Sequence, residues 1–395
     1  MRILHTVEQY WPTVGGMAEV VKQLSERLVR MGHEVTVATS VLPERHQCIV
    51  GGVKIEEFPL SGNWTRGVSG DVIQYIEFLQ RSDVDIVTNF AAQQWATDLV
   101  LPMLGRIRGK KVFVPTGFSG LHVPQYANYF ARMGDWMKQY DMNVFLSDDY
   151  RDIQFARQNG VTRTMLIPNG AAADEFLPDT GIDIRRKLGI SDTDLLILHV
   201  GSHTGVKGHA EAIRIFHIAR IKNATLVIVG TPAPGSSCCH HACEHGCAAV
   251  NRSVWRHLDH KRALAVSLSR PETVAAYKAA DLFLFPSNIE CSPIVLFECM
   301  ASRTPFLTTD VGNASEIVGW SGSGVVLPTV KAQHDHGMSH VCVPEAAKML
   351  ADLACDVDRR QKMAARGFTV WQERFTWEVI SQQYESLYRR IVNGG

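Results

Sequence analysis

The sequence predicts an α/β fold of two consecutive doubly wound parallel-sheet domains facing a central cleft, and three observations predict it. The chain has 395 residues, enough for two domains. Short β-branched runs alternate with amphipathic stretches along it, the pattern of βαβ units. That alternation lapses once, between Asn169 and Asp194, and then resumes.

The elements follow in order. Arg2–Val7 reads as a strand, Ala18–Met31 as a helix with Val20, Val21, Leu24, Leu28 and Met31 on one face, and Glu34–Ala38 as the next strand after the Gly32-His33 stop. Further strands are expected at Val53–Phe58, Asp85–Thr88, Lys111–Val114, Asn143–Leu146 and Met165–Ile167, with helical spacing at Val72–Leu79 and Tyr126–Met137. The second series has strands at Leu195–Val200, Ala224–Val229, Ala263–Leu268, Leu282–Phe285, Pro305–Thr308 and Gly324–Leu327. Its helices are Lys207–Arg220, Pro271–Ala280 and Pro293–Ala301. The expected domains are therefore 1–170 and 194–375, with 171–193, rich in Gly, Ala, Pro and Asp, as a linker. A last helix, 376–395, carries Ile380, Tyr384, Leu387, Tyr388 and Ile391 on one face that must be buried.

Composition narrows the function. Forty Lys plus Arg balance forty Asp plus Glu, so no basic field draws the chain to nucleic acid. No run of eighteen apolar residues and no leader-like start is present, and nine cysteines, mostly in apolar stretches, fit reduced core thiols; a cytoplasmic protein is expected. Arg132, Trp136, Lys138 and Tyr140 edge a short helix that would give at most peripheral membrane contact at the inner face, and Asp135 and Asp141 within it favour a solvated helix.

Two strand-to-helix loops have the makings of phosphate sites. Glu8 to Met17 ends in Gly15-Gly16 at a helix start, where the backbone can approach an anion; a turn needing positive φ explains the glycines equally well. The second, His199-Val-Gly201-Ser202-His203-Thr-Gly-Val-Lys207-Gly208, sets a lysine where a diphosphate would meet it, though a solvated lysine fits the same position. Neither loop is GxGxxG or GxxxxGK[ST], which removes the main support for nicotinamide or ATP chemistry.

The stretch from Phe285 to Ala301 is the most informative. Ser292 as N-cap and Pro293 at the first helical position would aim the amides of Ile294 and Val295 at a ligand. Glu290 precedes that helix and Glu298 lies within its apolar run, where an ionised carboxylate needs a partner such as a ligand hydroxyl or Arg303. Eight helical residues span about 12 Å, beyond the roughly 5–9.5 Å of a glycosidase pair, so the two acids make separate contacts, Glu298 on a ribose and Glu290 on a sugar.

These residues together resemble the retaining glycosyltransferases of the GT-B fold, family 4 or group 1, built of two Rossmann-like domains. The resemblance rests on Tyr10-Trp-Pro12, Gly15-Gly16, Gly32-His-Glu-Val35, Ile167-Pro-Asn-Gly170, Gly201 to Gly208, Ala280-Asp281, Pro286-Ser287 and Glu290-x7-Glu298. It implies a sugar-nucleotide donor, UDP- or GDP-linked, held by the second domain, and a glycan, lipid-linked or small-molecule acceptor on the first, as in polysaccharide synthesis. It implies that the last helix crosses back to complete the first domain.

Donor contacts are then expected at Gly16, Gly201, Ser202, His203, Lys207, Glu290, Ser292, Pro293, Ile294 and Glu298, and acceptor contacts at Glu8, Gly15, Gly16 and Phe118. Glu290, Lys207 and His122 are the expected catalytic residues. The family's Arg near the start of the Gly201 loop is replaced here by Ser202 and His203. Its His after the Lys111–Val114 strand is absent, with Thr116 and His122 nearby. No cofactor or catalytic metal is expected. The competing readings are a phosphorylase or epimerase on the same plan and a catalytically silent sugar-binding protein.

Ser236 to Cys247 packs four Cys and three His together, which invites zinc, but knuckle spacing is lacking. A surface insertion is expected rather than a structural zinc site at Cys238–Cys247. Asp83-Val-Asp85 is expected as a turn, not a metal-binding DxD.

Overall fold

The computed structural model describes residues 1–13, 15–232, 238–253, 259–330 and 338–394. It divides into two units, one of Met1–Asn169 with the segment from Trp377 onward, the other Gly170–Thr376.

The first unit's strands are β1 (Arg2–Thr6), β2 (Glu34–Ser40), β3 (Ile49–Val50), β4 (Val53–Phe58), β5 (Leu60–Asn63), β6 (Gly67–Gly70), β7 (Ile86–Phe90), β8 (Lys110–Val114), β9 (Met142–Phe145) and β10 (Thr164–Leu166). Eight form one sheet in the order β10-β9-β8-β7-β1-β2-β4-β3, parallel except where β3 turns back on β4; β5 and β6 make a separate hairpin. The order reverses direction at β1, between β7 and β2, so loops leaving β1 and β7 diverge there. That is where open α/β sheets bind ligands.

The second unit's strands are β11 (Leu195–Val200), β12 (Ala224–Val229), β13 (Lys261–Val266), β14 (Leu282–Phe285), β15 (Phe306–Thr309) and β16 (Gly324–Leu327), with a small antiparallel pair, β17 (Thr329–Val330) and β18 (His340–Val341). The sheet is wholly parallel, ordered β13-β12-β11-β14-β15-β16, and its reversal lies between β11 and β14. Residues of β12 are all buried because helices cover both faces, which is why the strand reads as an apolar run interrupted only by Thr225. Alternate residues serve different cores: Leu196, Leu198, Val227 and Val229 pack on one face, Ile197, Leu226 and Ile228 on the other.

The 171–193 stretch is not a free linker. Phe176, Ile184 and Ile190 are buried in the second unit's core with Leu196, and Asp183 caps a short Ile184–Leu188 helix that Gly189 ends in the left-handed conformation. In the basic run Arg185-Arg-Lys, Arg186 and Lys187 are exposed, while Arg185 is largely covered and held by Asp281 at 2.9 Å.

The Trp377–Val392 helix lies in the first unit and buries Ile380, Tyr384, Leu387, Tyr388 and Ile391. Arg27, itself buried, pairs with Glu378 at 2.8 Å, and the Tyr388 hydroxyl lies 2.7 Å from Thr88 Oγ1 and 3.3 Å from His5 Nε2. No described helix is long and apolar enough to cross a membrane. Trp136 and Tyr140 are buried in the first unit's core, so their rings are not available to a bilayer. Asp83 and Asp85 both pair with Arg2 at the sheet's end.

Candidate functional site

In the second unit the loops after β11 and β14 meet at the reversal of strand order. Lys207 is not on the following helix, which runs His209–Ile218. It stands in the loop before it, because Gly208 takes a left-handed φ of 76° and delays the helix. Its ammonium lies 2.8 and 2.9 Å from the two carboxylate oxygens of Glu290. Ser287 Oγ donates to the same carboxylate at 2.8 Å, and the Asn288 amide donates to the Val206 carbonyl at 2.9 Å, so the two loops are stitched together on both sides of the pair. Lys207 keeps about a quarter of its side chain exposed and Glu290 a tenth, a charged pair at a mouth rather than in a core.

The helix after β14 begins at Ile294, one residue later than the sequence suggests. Pro293 takes the N-cap position, Ser292 precedes it, and no side chain caps the helix start. Proline has no side-chain acceptor to offer, so the first-turn amides, beginning at Ile294, have no side-chain cap.

Glu298 is 4% exposed, and its partner within the protein is Arg270, not Arg303: Arg270 lies 2.6 Å from Glu298 Oε1 and 2.5 Å from Glu175 Oε2, while Arg303 covers the Phe368 ring. Beside it, burial and the Glu298 charge push the Tyr277 phenol well up. Glu290 and Glu298 are thus held by different cations, which keeps their contacts separate. Arg270 escaped the sequence reading, although the Ser269-Arg-Pro-Glu272 capping box that starts its helix is legible.

Of the other expected donor residues, Gly201 and Ser202 are partly exposed in the same loop. His203 turns inward. It is 1% exposed, its Nδ1 lies 3.5 Å from Cys239 Sγ, and its ring stacks on His209. The cysteines of the 238–247 stretch divide: Cys243 and Cys247 face the core with Ile213 and Leu226, and Cys239 alone turns to the histidines.

In the first unit, Gly15 and Gly16 are exposed at the start of the Gly16–Arg30 helix, whose N-terminus no side chain caps. Gly15 is extended, with φ 179°, and a Cβ there would meet nothing within 4 Å, so the turn explanation for this glycine fails. Val14 of this loop lies outside the described residues. Buried Arg45 donates to the carbonyls of Trp11 at 2.6 Å and Tyr10 at 3.2 Å and holds the loop to β4 through Glu57.

Glu8 is half-buried beside the loop after β7, with its amide donating to Gln94 Oε1 at 2.8 Å. Burial, and secondarily the Asp98 charge, push its carboxyl up. Asp98 is pushed up to about 6 by burial, against three donors: the Trp64 and Gln93 amides and the Tyr129 hydroxyl. The loops after β7 and β8 hold four non-glycine residues at positive φ, Ala91, Gln93, Thr116 and Phe118. Such strain persists where surrounding contacts over-determine it and gathers at functional sites. Gln93 joins these loops by accepting from the Gly120 amide at 3.0 Å.

Phe118 is not an acceptor contact through its ring, which is buried against Phe113, Phe130 and Phe155. His122 is exposed in a turn. Gln93, Gln94 and Asp98 carry no local sequence signal, since their roles follow from loop conformation.

Known proteins share this architecture. The profile described as glycosyl transferases group 1 matches residues 182–336, and that of glycosyltransferase family 4 matches 14–175. An uncharacterized glycosyltransferase of Methanocaldococcus jannaschii is 26% identical over 98% of both chains, and the N-acetyl-alpha-D-glucosaminyl L-malate synthase of Bacillus anthracis is 23% identical over 97% of this chain and 96% of its own. The sucrose-phosphate synthase of Thermosynechococcus elongatus superposes with a TM-score of 0.79 over all of both chains at 18% identity. Anabaena HepE in complex with UDP-glucose gives 0.69 at 17%, covering 98% of this chain and 99% of its own. With both halves matched in order and the two parallel sheets of the GT-B fold in place, the chain belongs to the group 1, family 4 glycosyltransferases.

Proposed function

We propose that the protein is a retaining hexosyltransferase that moves a sugar from a nucleotide-diphosphate donor to a hydroxyl of a glycan, lipid-linked or small-molecule acceptor, without a metal in the transfer step. The observation that carries the reading is the Lys207–Glu290 pair beside the helix start that no side chain caps, where the second sheet reverses. A cation and a row of amides suit the diphosphate, and Glu290 suits the sugar that departs from it. Glu298, oriented by Arg270, is the ribose contact. Glu8 and the amides at Gly15 and Gly16 are the acceptor-side groups.

In this reading the bond from the anomeric carbon to the phosphate oxygen breaks as the acceptor oxygen bonds on the same face. The acceptor proton passes to the departing phosphate. The protein supplies stabilisation for the leaving charge and position for the acceptor. The UDP-glucose held by HepE favours a uridine donor.

The test is a thermal-shift panel of UDP, GDP, ADP and their sugars with and without chelator, followed by NMR of the sugar first released from the donor that shifts. A ligand at a hundred times its Kd stabilises by about 2.7 kcal/mol. A shift that survives chelation and first release of the donor's own anomer support the reading. Release of the opposite anomer overturns retention, and silence from every nucleotide overturns the donor site.

A further inference from the structure

Three side chains outside the ion-pair site converge where the loop after β11 meets the start of the His240–Arg252 helix. Cys239 Sγ lies 3.5 Å from His203 Nδ1 and 3.7 Å from His209 Nδ1, and one ligand atom from each of the three lies within 4.8 Å of the others. A thiolate at about 2.3 Å and an imidazole nitrogen at about 2.0–2.1 Å from one tetrahedral zinc stand about 3.6 Å apart, the spacing of both sulfur–nitrogen edges here.

A thiol has one proton and can serve only one of two imidazole acceptors. His209 Nε2 lies 3.0 Å from the Gly201 carbonyl, which fixes the proton on that nitrogen and leaves Nδ1 as a bare lone pair aimed at Cys239. The Cys239 amide donates to the His203 carbonyl at 3.2 Å and the His203 amide to Thr231 at 3.1 Å, so backbone contacts hold two of the three ligands in place. The cluster is also short of partners: His203 Nε2 and His240 Nδ1 are buried with no hydrogen bond among the described residues, and the two rings are 4.8 Å apart.

We infer that His203, His209 and Cys239 bind a zinc-class divalent ion. Two neutral imidazoles and a thiolate are a borderline-soft donor set that selects zinc over magnesium or calcium. On binding, the Cys239 S–H bond breaks, the proton leaves to solvent, and sulfur and the two Nδ1 lone pairs bond to the metal. The ion clips the 201–209 loop, and with it Lys207, to the helix after β12, and it takes His203 out of the diphosphate contacts. The inference does not rest on sugar transfer, since its readout is metal content.

The test is metal analysis and cobalt(II) titration of reduced, chelator-washed protein. One zinc per chain after reconstitution is expected, with a thiolate-to-cobalt charge-transfer band that Cys238→Ser retains and Cys239→Ser loses. His209→Ala should weaken binding at least tenfold. Should the Cys239 variant misfold, alkylation of the wild type followed by mass spectrometry decides: zinc shields Cys239 and not Cys238. Less than about a tenth of an equivalent of metal, a band that survives Cys239→Ser, or equal alkylation with and without zinc would overturn the inference.

Discussion

Lys207 faces two demands, one from Glu290 in the free protein and one from a diphosphate in the proposed reaction. The ion pair keeps the lysine extended across the loop mouth, and the exchange of one anion for another costs little when the second carries more charge. Lys207→Ala should lower kcat about 10²- to 10³-fold, the loss typical of one donor to a developing oxyanion. A Glu290→Gln variant, which keeps the Ser287 contact and drops the charge, should lower turnover while leaving nucleotide affinity near normal. Steady-state kinetics with a matched donor-binding measurement checks both, and unchanged turnover in either variant removes that residue from the mechanism. At this scale the sequence showed which residues matter but not whom they meet. Glu290 and Lys207 stand out by position, yet 83 residues separate them. Arg270 stands at a legible helix start, but no local pattern links it to Glu298. Phe118 misled because aromatic residues near a loop read alike whether they point in or out.

The loops between elements carry the constraint that makes these contacts reproducible. At Gly208 a Cβ would lie 2.0 Å from the Pro286 carbonyl oxygen, and the backbone is left-handed as well. Gly67, in the β5–β6 hairpin, has φ 90° but open space around it. Gly67→Ala should therefore cost about 1–3 kcal/mol, the strain of an ordinary residue in the left-handed region, whereas Gly208→Ala adds a clash that must push apart the Lys207 and Glu290 loops. Thermal unfolding should show the larger loss at Gly208, together with a nucleotide affinity that Gly67→Ala leaves intact; equal effects would mean the clash relaxes without cost. Strands buried on both faces were legible because their apolar runs are continuous. The 171–193 stretch was not: its Gly, Pro and Asp content is that of a linker, and only tertiary packing of Phe176, Ile184 and Ile190 makes it part of a core.

Across the whole chain, His5 ties the first strand to the last helix, with Ser25 Oγ 2.8 Å from Nδ1 and the Tyr388 hydroxyl 3.3 Å from Nε2. Burial drops its pKa to about 3, against about 6.5 in the unfolded chain. Below about pH 6.5 the unfolded state takes up a proton that the folded state refuses, so this contribution to stability is full above that pH and is lost as pH falls towards 3. In urea unfolding, the advantage of wild type over His5→Phe should shrink by about 1.4 kcal/mol per pH unit between about pH 6 and 4; parallel pH profiles would show that His5 is not held neutral. The parallel-sheet architecture was readable from alternation alone, and the apolar face of the last helix from its spacing, but the surface that face covers was not, since spacing names no partner. That helix has a temporal consequence. The chain leaves the ribosome from its first residue, so the strands of the first unit emerge early, while the helix that covers His5, Thr88 and Arg27 emerges after about two hundred residues of the second unit. At about 5–20 residues per second the interval is roughly 10–40 s. Throughout it the older half of the nascent protein stands with an open hydrophobic flank while the younger half finishes folding, so the unit begun first is the one completed last.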